Sequence, residues 1–217
     1  MDCNPQAMDY KSQTRACYNN HAKELAKSLQ VNFRRDVQSY ASEFSDLVLK
    51  FSEKLRSQRA RVLDLGSGPG HHSEYFMEKG LAPLCVDISE KMIGLCRERG
   101  LAAQVMDMEH LQLPANSFHG VWAYTSILHV PKQNIPDLVE NNIVRVLKLN
   151  GYLGLAVKEG AGEGFENCKR HNGKRWFSYF KDNEIRKLFS KFTVLRSGKT
   201  LNHDNTFLHY IMQLKLG

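Results

Sequence analysis

The spacing of hydrophobic positions changes near residue 60. Before it, apolar side chains recur at helical intervals. Ala22, Leu25, Ala26 and Leu29 share one helical face, and Tyr40, Phe44, Leu47, Val48, Phe51 and Leu55 make a longer stripe. The stripes predict two amphipathic helices packed on a core, with a mobile cap over a cleft as the functional alternative. From residue 61 short apolar runs alternate with helical ones. Residues 61–65, 82–86, 103–106, 121–124 and 152–157 read as strands. Helices are expected through Tyr75, Phe76 and Met77, over 90–98 with Ser89 as its cap, over 135–147, and over 185–189. Strands near 192–195 and 206–214 close the chain with no helix between them, so they join most simply as an antiparallel pair.

Strand–helix alternation implies a parallel sheet covered on both faces, and right-handed crossovers leave few topologies. The expected fold class is α/β: a doubly wound, mostly parallel seven-stranded, Rossmann-like sheet ending in an antiparallel hairpin. The chain reads as one domain, with a helical cap over residues 1–58 and a core over 59–217.

Composition adds limits. The 217 residues suffice for one α/β domain, and 42% hydrophobic with 24% charged residues is ordinary for a soluble globular protein. No run of about 18 apolar residues suggests a membrane span. The start, Met1-Asp2-Cys3-Asn4-Pro5, lacks the basic and apolar regions of a signal peptide. A cytoplasmic location is expected. The cysteines, Cys3, Cys17, Cys85, Cys96 and Cys168, are odd in number and widely spaced, which favours buried or idle thiols over disulfides. Cys168 and His171 lie close but lack a second pair, and no metal site is expected. The net charge is +7, with much of the excess late in the chain, at Lys158, Lys169, Arg170, Lys174, Arg175 and beyond. It reads as a solvated face; attraction of nucleic acid is the alternative.

Ligands of such sheets sit at the carboxyl ends of the strands. Four features converge there. Asp64-Leu65-Gly66-Ser67-Gly68-Pro69-Gly70 leaves a strand and enters a helix, where free N–H groups suit a carboxylate. Asp87 ends the second strand at the spacing where a carboxylate accepts both ribose hydroxyls, and Ile88 can pack on a base. Asp107 can accept from an exocyclic amine, with Met108 as a soft surface for a base. The strand ending near Tyr124 feeds the run Thr125-Ser126-Ile127-Leu128-His129-Val130, which should line a cleft.

Taken in order, V-L-D-L-G-S-G-P-G, V-D-I-S, M-D-M-E-x-L-x-L-P, S-F-x-x-V-W-A and the Leu-His-Val-Pro loop resemble the class I S-adenosylmethionine-dependent methyltransferases, nearest the small bacterial ones akin to the ubiquinone-biosynthesis type. The resemblance covers roughly residues 62–157, with a weaker extension to the end. It implies that Asp64, Gly66, Gly68 and Gly70, with Ser67, meet the amino-acid part of the cofactor. It also implies that Asp87 holds the ribose and Asp107 the adenine amine. Tyr18-Asn19-Asn20-His21-Ala22 resembles the family's first-helix motif, whose tyrosine borders the cofactor. Met92 and Tyr124 complete the expected cofactor set. Two positions depart from the family: His119 stands where an aspartate is usual, and Leu149-Asn150-Gly151 replaces Pro-Gly-Gly.

The implied activity is in-line transfer of a methyl group from S-adenosyl-L-methionine, leaving S-adenosyl-L-homocysteine. The protein need only align a nucleophile and exclude water. His129 is the candidate general base, or a residue that merely lines the cleft. Lys158, Glu159, Trp176 and Tyr179 are the substrate-side candidates. Residues 160–173 read as a flexible insertion over an acceptor or an inert loop, with Arg175-Trp176-Phe177 folding back on it. His71 and His72 read as surface residues.

The expected acceptor is a small molecule, with tRNA or rRNA as the alternative, and the expected state is a monomer or homodimer without a membrane partner. Two rivals belong to other classes. An NAD-dependent oxidoreductase needs G-x-G-x-x-G, but the third position is His71 and glycine comes one place early, at Gly70. A non-catalytic cofactor-binding protein is the other.

Overall fold

The computed structural model describes residues 5–31, 35–167, 173–202 and 205–215. The N-terminal part forms α1 (Pro5–Asn20), α2 (Ala22–Val31) and α3 (Arg35–Lys54), three helices where apolar spacing predicted two. The first escapes that pattern because its inner stripe is Tyr10, Thr14 and Cys17, all buried but not aliphatic.

The core then alternates. β1 (Arg61–Leu65), α4 (His71–Glu78), β2 (Ala82–Asp87), α5 (Glu90–Glu98), β3 (Ala102–Val105), β4 (Phe118–Tyr124), a helical stretch opening with α6 (Ile135–Asp137), and β5 (Leu147–Lys158) follow one another. The hydroxyl of Ser89 accepts the N–H of Met92 at 3.2 Å and caps α5 as its sequence position implied. The helix expected over 135–147 widens into a π-helical turn at Leu138–Val144. Buried Asn142 there accepts the N–H of Leu111 and donates to the carbonyl of Glu109, tying down the loop after β3.

The described part of residues 160–173 is not a plain loop. β6 (Glu163–Asn167) pairs antiparallel with β7 (Lys174–Ser178), so Trp176 and its neighbours do fold back. Cys168 and His171, with Lys169 and Arg170, lie outside the described residues, as does Cys3. α7 (Asp182–Leu188) leads to β8 (Phe192–Asn202) and β9 (Asn205–Leu214). The main sheet has seven strands in the order β3-β2-β1-β4-β5-β9-β8, with β9 antiparallel to β5 and β8. The strand order reverses between β1 and β4.

Alternation along each strand fills both faces. Leu63, Leu65, Val121, Ala123, Leu153 and Leu155 pack with Ile135, Leu138, Ile185 and Phe189 on one face. Val62, Trp122, Ala156 and Ile211 meet Tyr40, Phe44 and Val48 of α3 and Phe76 of α4 on the other. Burial of each such side chain contributes about 1.5–3 kcal/mol. A side chain at Gly154 would overlap the Trp122 indole, so only glycine admits that ring.

Cys85 and Cys96 are buried free thiols, and Cys17 is buried. His119 sits at the amino end of β4, where its Nδ1 accepts the N–H of Arg61 at 3.1 Å and its Nε2 meets the Ser57 hydroxyl at 2.9 Å. Gly151 lies under the carbonyls of Lys148 and His119, too close for a β-carbon. Both departures from the family pattern therefore fall at the amino end of β4 and the β5 entry. No described helix is long and apolar enough to cross a membrane.

Candidate functional site

The turn after β1 is built by hydrogen bonds that need its glycines. The N–H groups of Gly66 and Ser67 both donate to the carbonyl of Val86, at 2.8 and 3.0 Å. Gly66 has φ +71°, and a β-carbon there would collide with Ser126 and come within 3.1 Å of the Met108 methyl. The space beside Gly66 is thus bounded by the turn after β4 and the loop after β3. Beneath it, buried Asp64 accepts the Ser73 hydroxyl at 2.7 Å. Burial pushes the Asp64 carboxyl up to about 7; the Ser73 bond opposes this and the nearby Asp87 charge adds to it.

Asp87 bridges two loops. One oxygen accepts the Gly68 N–H at 2.9 Å and the other the Ser89 N–H at 2.8 Å. Burial raises its pKa, and these donors hold it down. Ile88 beside it is half-buried. Asp107 accepts the Glu109 N–H at 3.0 Å and also the Lys11 ammonium at 2.7 Å. Lys11 reaches the Glu109 carboxylate at 2.9 Å too, and Tyr10 and Asn134 donate to that same carboxylate. Asp107 is therefore a paired acid covered by α1 rather than a loop acid in solvent.

Two expected cofactor residues pack against neighbouring elements. Met92 is fully buried against Ala22 and Leu25 of α2. The Tyr124 ring stacks on Trp122 at 4.5 Å, and its hydroxyl meets His209 Nδ1 at 2.6 Å. His71 and His72 are half-buried and bonded rather than open surface residues. His71 Nε2 bonds the Ala26 carbonyl at 3.0 Å, and His72 accepts the Trp122 indole N–H at 3.1 Å. The first turn of α4 lies between α2 and β4, and burial holds His72 down at about 4. Glu159 pairs with Lys199 of β8, on the hairpin side of the sheet.

A second cluster gathers at the ends of β4 and β5. His129 Nδ1 lies 2.7 Å from the Trp176 carbonyl. A carbonyl only accepts, so Nδ1 carries the proton and Nε2 is the bare nitrogen. The Tyr18 hydroxyl, 2.7 Å away, donates to it, and Arg175 donates to the Tyr18 oxygen at 3.2 Å. Burial pushes His129 down to about 3, helped by the charges of Arg175 and Lys158. Trp176 N–H donates to the Thr14 hydroxyl at 3.1 Å, so β7 is clamped between α1 and the turn after β4. Lys158 is only 8% exposed, with Nζ 3.7 Å from the Phe177 ring centre and 3.4 Å from Glu166. Tyr179 donates to Glu166 as well. Lys158 and Arg175 are thus turned inward, unlike the solvated basic face expected of them.

Sequence reasoning missed Lys11 and Glu109, and named Ser126 only as part of a run expected to line a cleft. Ser126 is more telling. Its hydroxyl is buried with no hydrogen-bond partner, beside Gly66. The preceding Thr125 has φ +60°, a conformation costly for a β-branched residue and concentrated at functional sites. A buried orphan hydroxyl facing a glycine cradle fits a polar ligand at this point. A groove of about 420 Å³ near Ser57, Arg59 and Leu81 lies at the opposite, amino-terminal end of β1.

Residues 63–155 match the methyltransferase domain family. The chain is 30% identical over 105 residues to methyltransferase GfsG of Streptomyces halstedii, covering 44% of this chain and 37% of that protein. It is 29% identical over 100 residues to malonyl-[acyl-carrier protein] O-methyltransferase of Enterobacter lignolyticus, covering 45% and 39%. The chain thus spans under two fifths of the curated relatives it matches. In fold it is similar to 1,6-didemethyltoxoflavin-N1-methyltransferase of Burkholderia thailandensis, solved with 1,6-didemethyltoxoflavin and S-adenosylhomocysteine. The TM-score is 0.68 at 18% identity, over 100% of this chain and 93% of that one.

Proposed function

We infer that this chain transfers a methyl group from S-adenosylmethionine to a small-molecule acceptor, since its residues 63–155 match the methyltransferase domain family. The cradle beside Gly66 carries the inference. It is closed to any β-carbon, bounded by Met108, and faced by an unpartnered buried hydroxyl on Ser126.

In this reading Asp64, Gly66, Ser67, Gly68 and Gly70 hold the amino-acid part of the cofactor, with Ser126 as a further partner. Asp87 accepts the ribose hydroxyls while keeping the glycine turn in place. Asp107 accepts the adenine amine, sharing its carboxylate with Lys11, and Ile88 and Met108 meet the adenine faces. Tyr18 borders the reacting end. Met92 and Tyr124 serve by packing, fixing α5 against α2 and the end of β4. When bound, the cofactor supplies a methyl group already activated on a positively charged sulfur. The chain's own residues orient the acceptor and keep water out.

His129 positions Tyr18 in this account and is not a general base, since its bare nitrogen already accepts the Tyr18 proton. Lys158, Trp176 and Tyr179 border the acceptor. A small acceptor is favoured over RNA by the relatives, one named for malonyl-[acyl-carrier protein] and one for 1,6-didemethyltoxoflavin, neither of them a nucleic acid.

The test is incubation with methyl-labelled S-adenosylmethionine and a cell extract, then separation by size and chemical class. Label in the low-molecular-mass fraction supports the reading. Label in RNA sends the acceptor to the nucleic-acid alternative. Cofactor binding with no transfer to any fraction points to the non-catalytic rival.

A further inference from the structure

We propose that Lys11 and Asn19 of α1 are positioning residues for the adenosine half of the cofactor. Lys11 aims the Asp107 carboxylate at the base, and Asn19 holds the loop that aims Asp87 at the ribose. This rests on the methyltransferase reading above and adds the helix that sets its two carboxylates.

The sequence places these residues on one stripe. Lys11, Arg15 and Asn19 recur at every fourth position of α1, so they share a helix face and span about 12 Å along it. That face lies across the loops after β3 and β2, which are neighbouring strands of the sheet. At one end Lys11 Nζ reaches Asp107 at 2.7 Å and Glu109 at 2.9 Å. At the other, Asn19 meets the start of α5. Its amide nitrogen donates to Glu90 at 2.8 Å, and its oxygen accepts the Ser89 hydroxyl at 2.6 Å and the Lys91 N–H at 3.3 Å. Arg15, between them, pairs with the exposed side chain of Glu90.

Each carboxylate is thereby held from two sides. Asp107 takes the Glu109 N–H at 3.0 Å on one oxygen and Lys11 on the other, which fixes its rotation and leaves lone pairs for a ligand. Asp87 takes the N–H groups of Gly68 and Ser89. Ser89 is itself pinned, since its hydroxyl gives its proton to Asn19 and accepts the Met92 N–H. Asn19 therefore acts on the ribose site through Ser89. An amide suits the position and an aspartate does not, because the Asn19 nitrogen faces a carboxylate while its oxygen faces donors.

The stripe is not what docks the helix. A second row at the same spacing, Tyr10, Thr14 and Tyr18, meets Glu109, the Trp176 N–H and His129. Loss of Lys11 or Asn19 leaves those contacts in place, so the effect is read at the ligand. A side chain that must be ordered on binding costs affinity, and one ordered beforehand preserves about threefold to tenfold.

Competition against labelled S-adenosylhomocysteine on the full chain tests this with adenosine, purine riboside (which lacks the exocyclic amine) and 2′-deoxyadenosine as probes. The wild type should prefer adenosine to each of the others by about tenfold. Lys11→Met should reduce the preference over purine riboside by about threefold or more and leave that over 2′-deoxyadenosine within about twofold. Asn19→Ala should do the reverse. Lys11→Arg should keep both preferences. Arg15→Gln should keep both as well, since it removes a contact of the same stripe that touches neither Asp87 nor Asp107. Thermal melts verify that each variant is folded. Preferences unchanged or increased in Lys11→Met and Asn19→Ala overturn the proposal. So do preferences that fall together in every variant, Arg15→Gln included, the mark of a loosened helix. If labelled S-adenosylhomocysteine does not bind the wild type, the methyltransferase reading fails first.

Discussion

The hydroxyl of Tyr18 and the Nε2 of His129 stand 2.7 Å apart, joining the first helix of the chain to the turn after β4. With the Nδ1 proton held by Trp176, this contact fixes one tautomer and keeps the ring neutral. It also binds three segments distant in sequence into one wall of the cleft.

That neutrality sets a pH dependence of stability. The folded pKa of His129 is about 3 and that of His72 about 4, both below the ordinary 6.5. Below pH 6.5 the unfolded chain binds protons at these sites and the folded chain does not. Stability is therefore lost as pH falls from about 6.5 toward 4. Urea unfolding at pH 7.5 and pH 5 should show His129→Gln losing about 2 kcal/mol less than the wild type over that step. Equal losses would place the imidazole in solvent.

Asp64 works in the other direction. Its folded pKa, about 7, lies above the ordinary 3.8. Between about pH 4 and 7 the folded chain keeps a proton that the unfolded chain has released, so this group costs stability as pH rises. Asp64→Asn preserves an acceptor for Ser73. Its melting temperature relative to the wild type should climb from pH 5 to pH 8, the gap growing by about 1–3 kcal/mol. A gap independent of pH would refute the raised pKa.

Asp87 carries two duties that one pair of substitutions separates. Asp87→Ala removes the acceptor for Gly68 and Ser89 and the proposed ribose contact, so equilibrium dialysis with labelled S-adenosylmethionine should show a loss of about tenfold to a hundredfold. Asp87→Asn keeps one acceptor oxygen and should lose less. Affinity unchanged in both would remove Asp87 from the site.

The glycines divide by their surroundings. Gly66→Ala places a β-carbon against Ser126 at φ +71° and should cost about 2 kcal/mol or more. Gly94, inside α5 with open space around it, should gain about 0.5–1 kcal/mol on substitution by alanine. Thermal melts of the two variants should move in opposite directions.

The sheet was legible because its strands are continuous apolar runs, as at Val121 to Tyr124, and its turns carry glycine. Ser89 announced the start of α5 in the same local way. α1 was not legible as a helix by periodicity, since Tyr10, Thr14 and Cys17 do not read as an apolar stripe. Nor was the β6–β7 hairpin, because Phe165 and Trp176 find their partners across a gap in sequence and on α1. The same limit applies to the cleft. Gly66 and Asp87 are local signals of a turn and a strand end. The Lys11–Asp107 pair and the Tyr18–His129–Arg175 chain join residues about a hundred or more positions apart, and only the folded chain brings them together.

The measurement that bears most directly on the account is calorimetric titration of the purified chain with S-adenosylhomocysteine and, separately, with NAD. The account predicts saturable one-to-one binding of S-adenosylhomocysteine and none of NAD. Binding of NAD alone would contradict it and make the chain a dinucleotide-dependent protein on the same sheet.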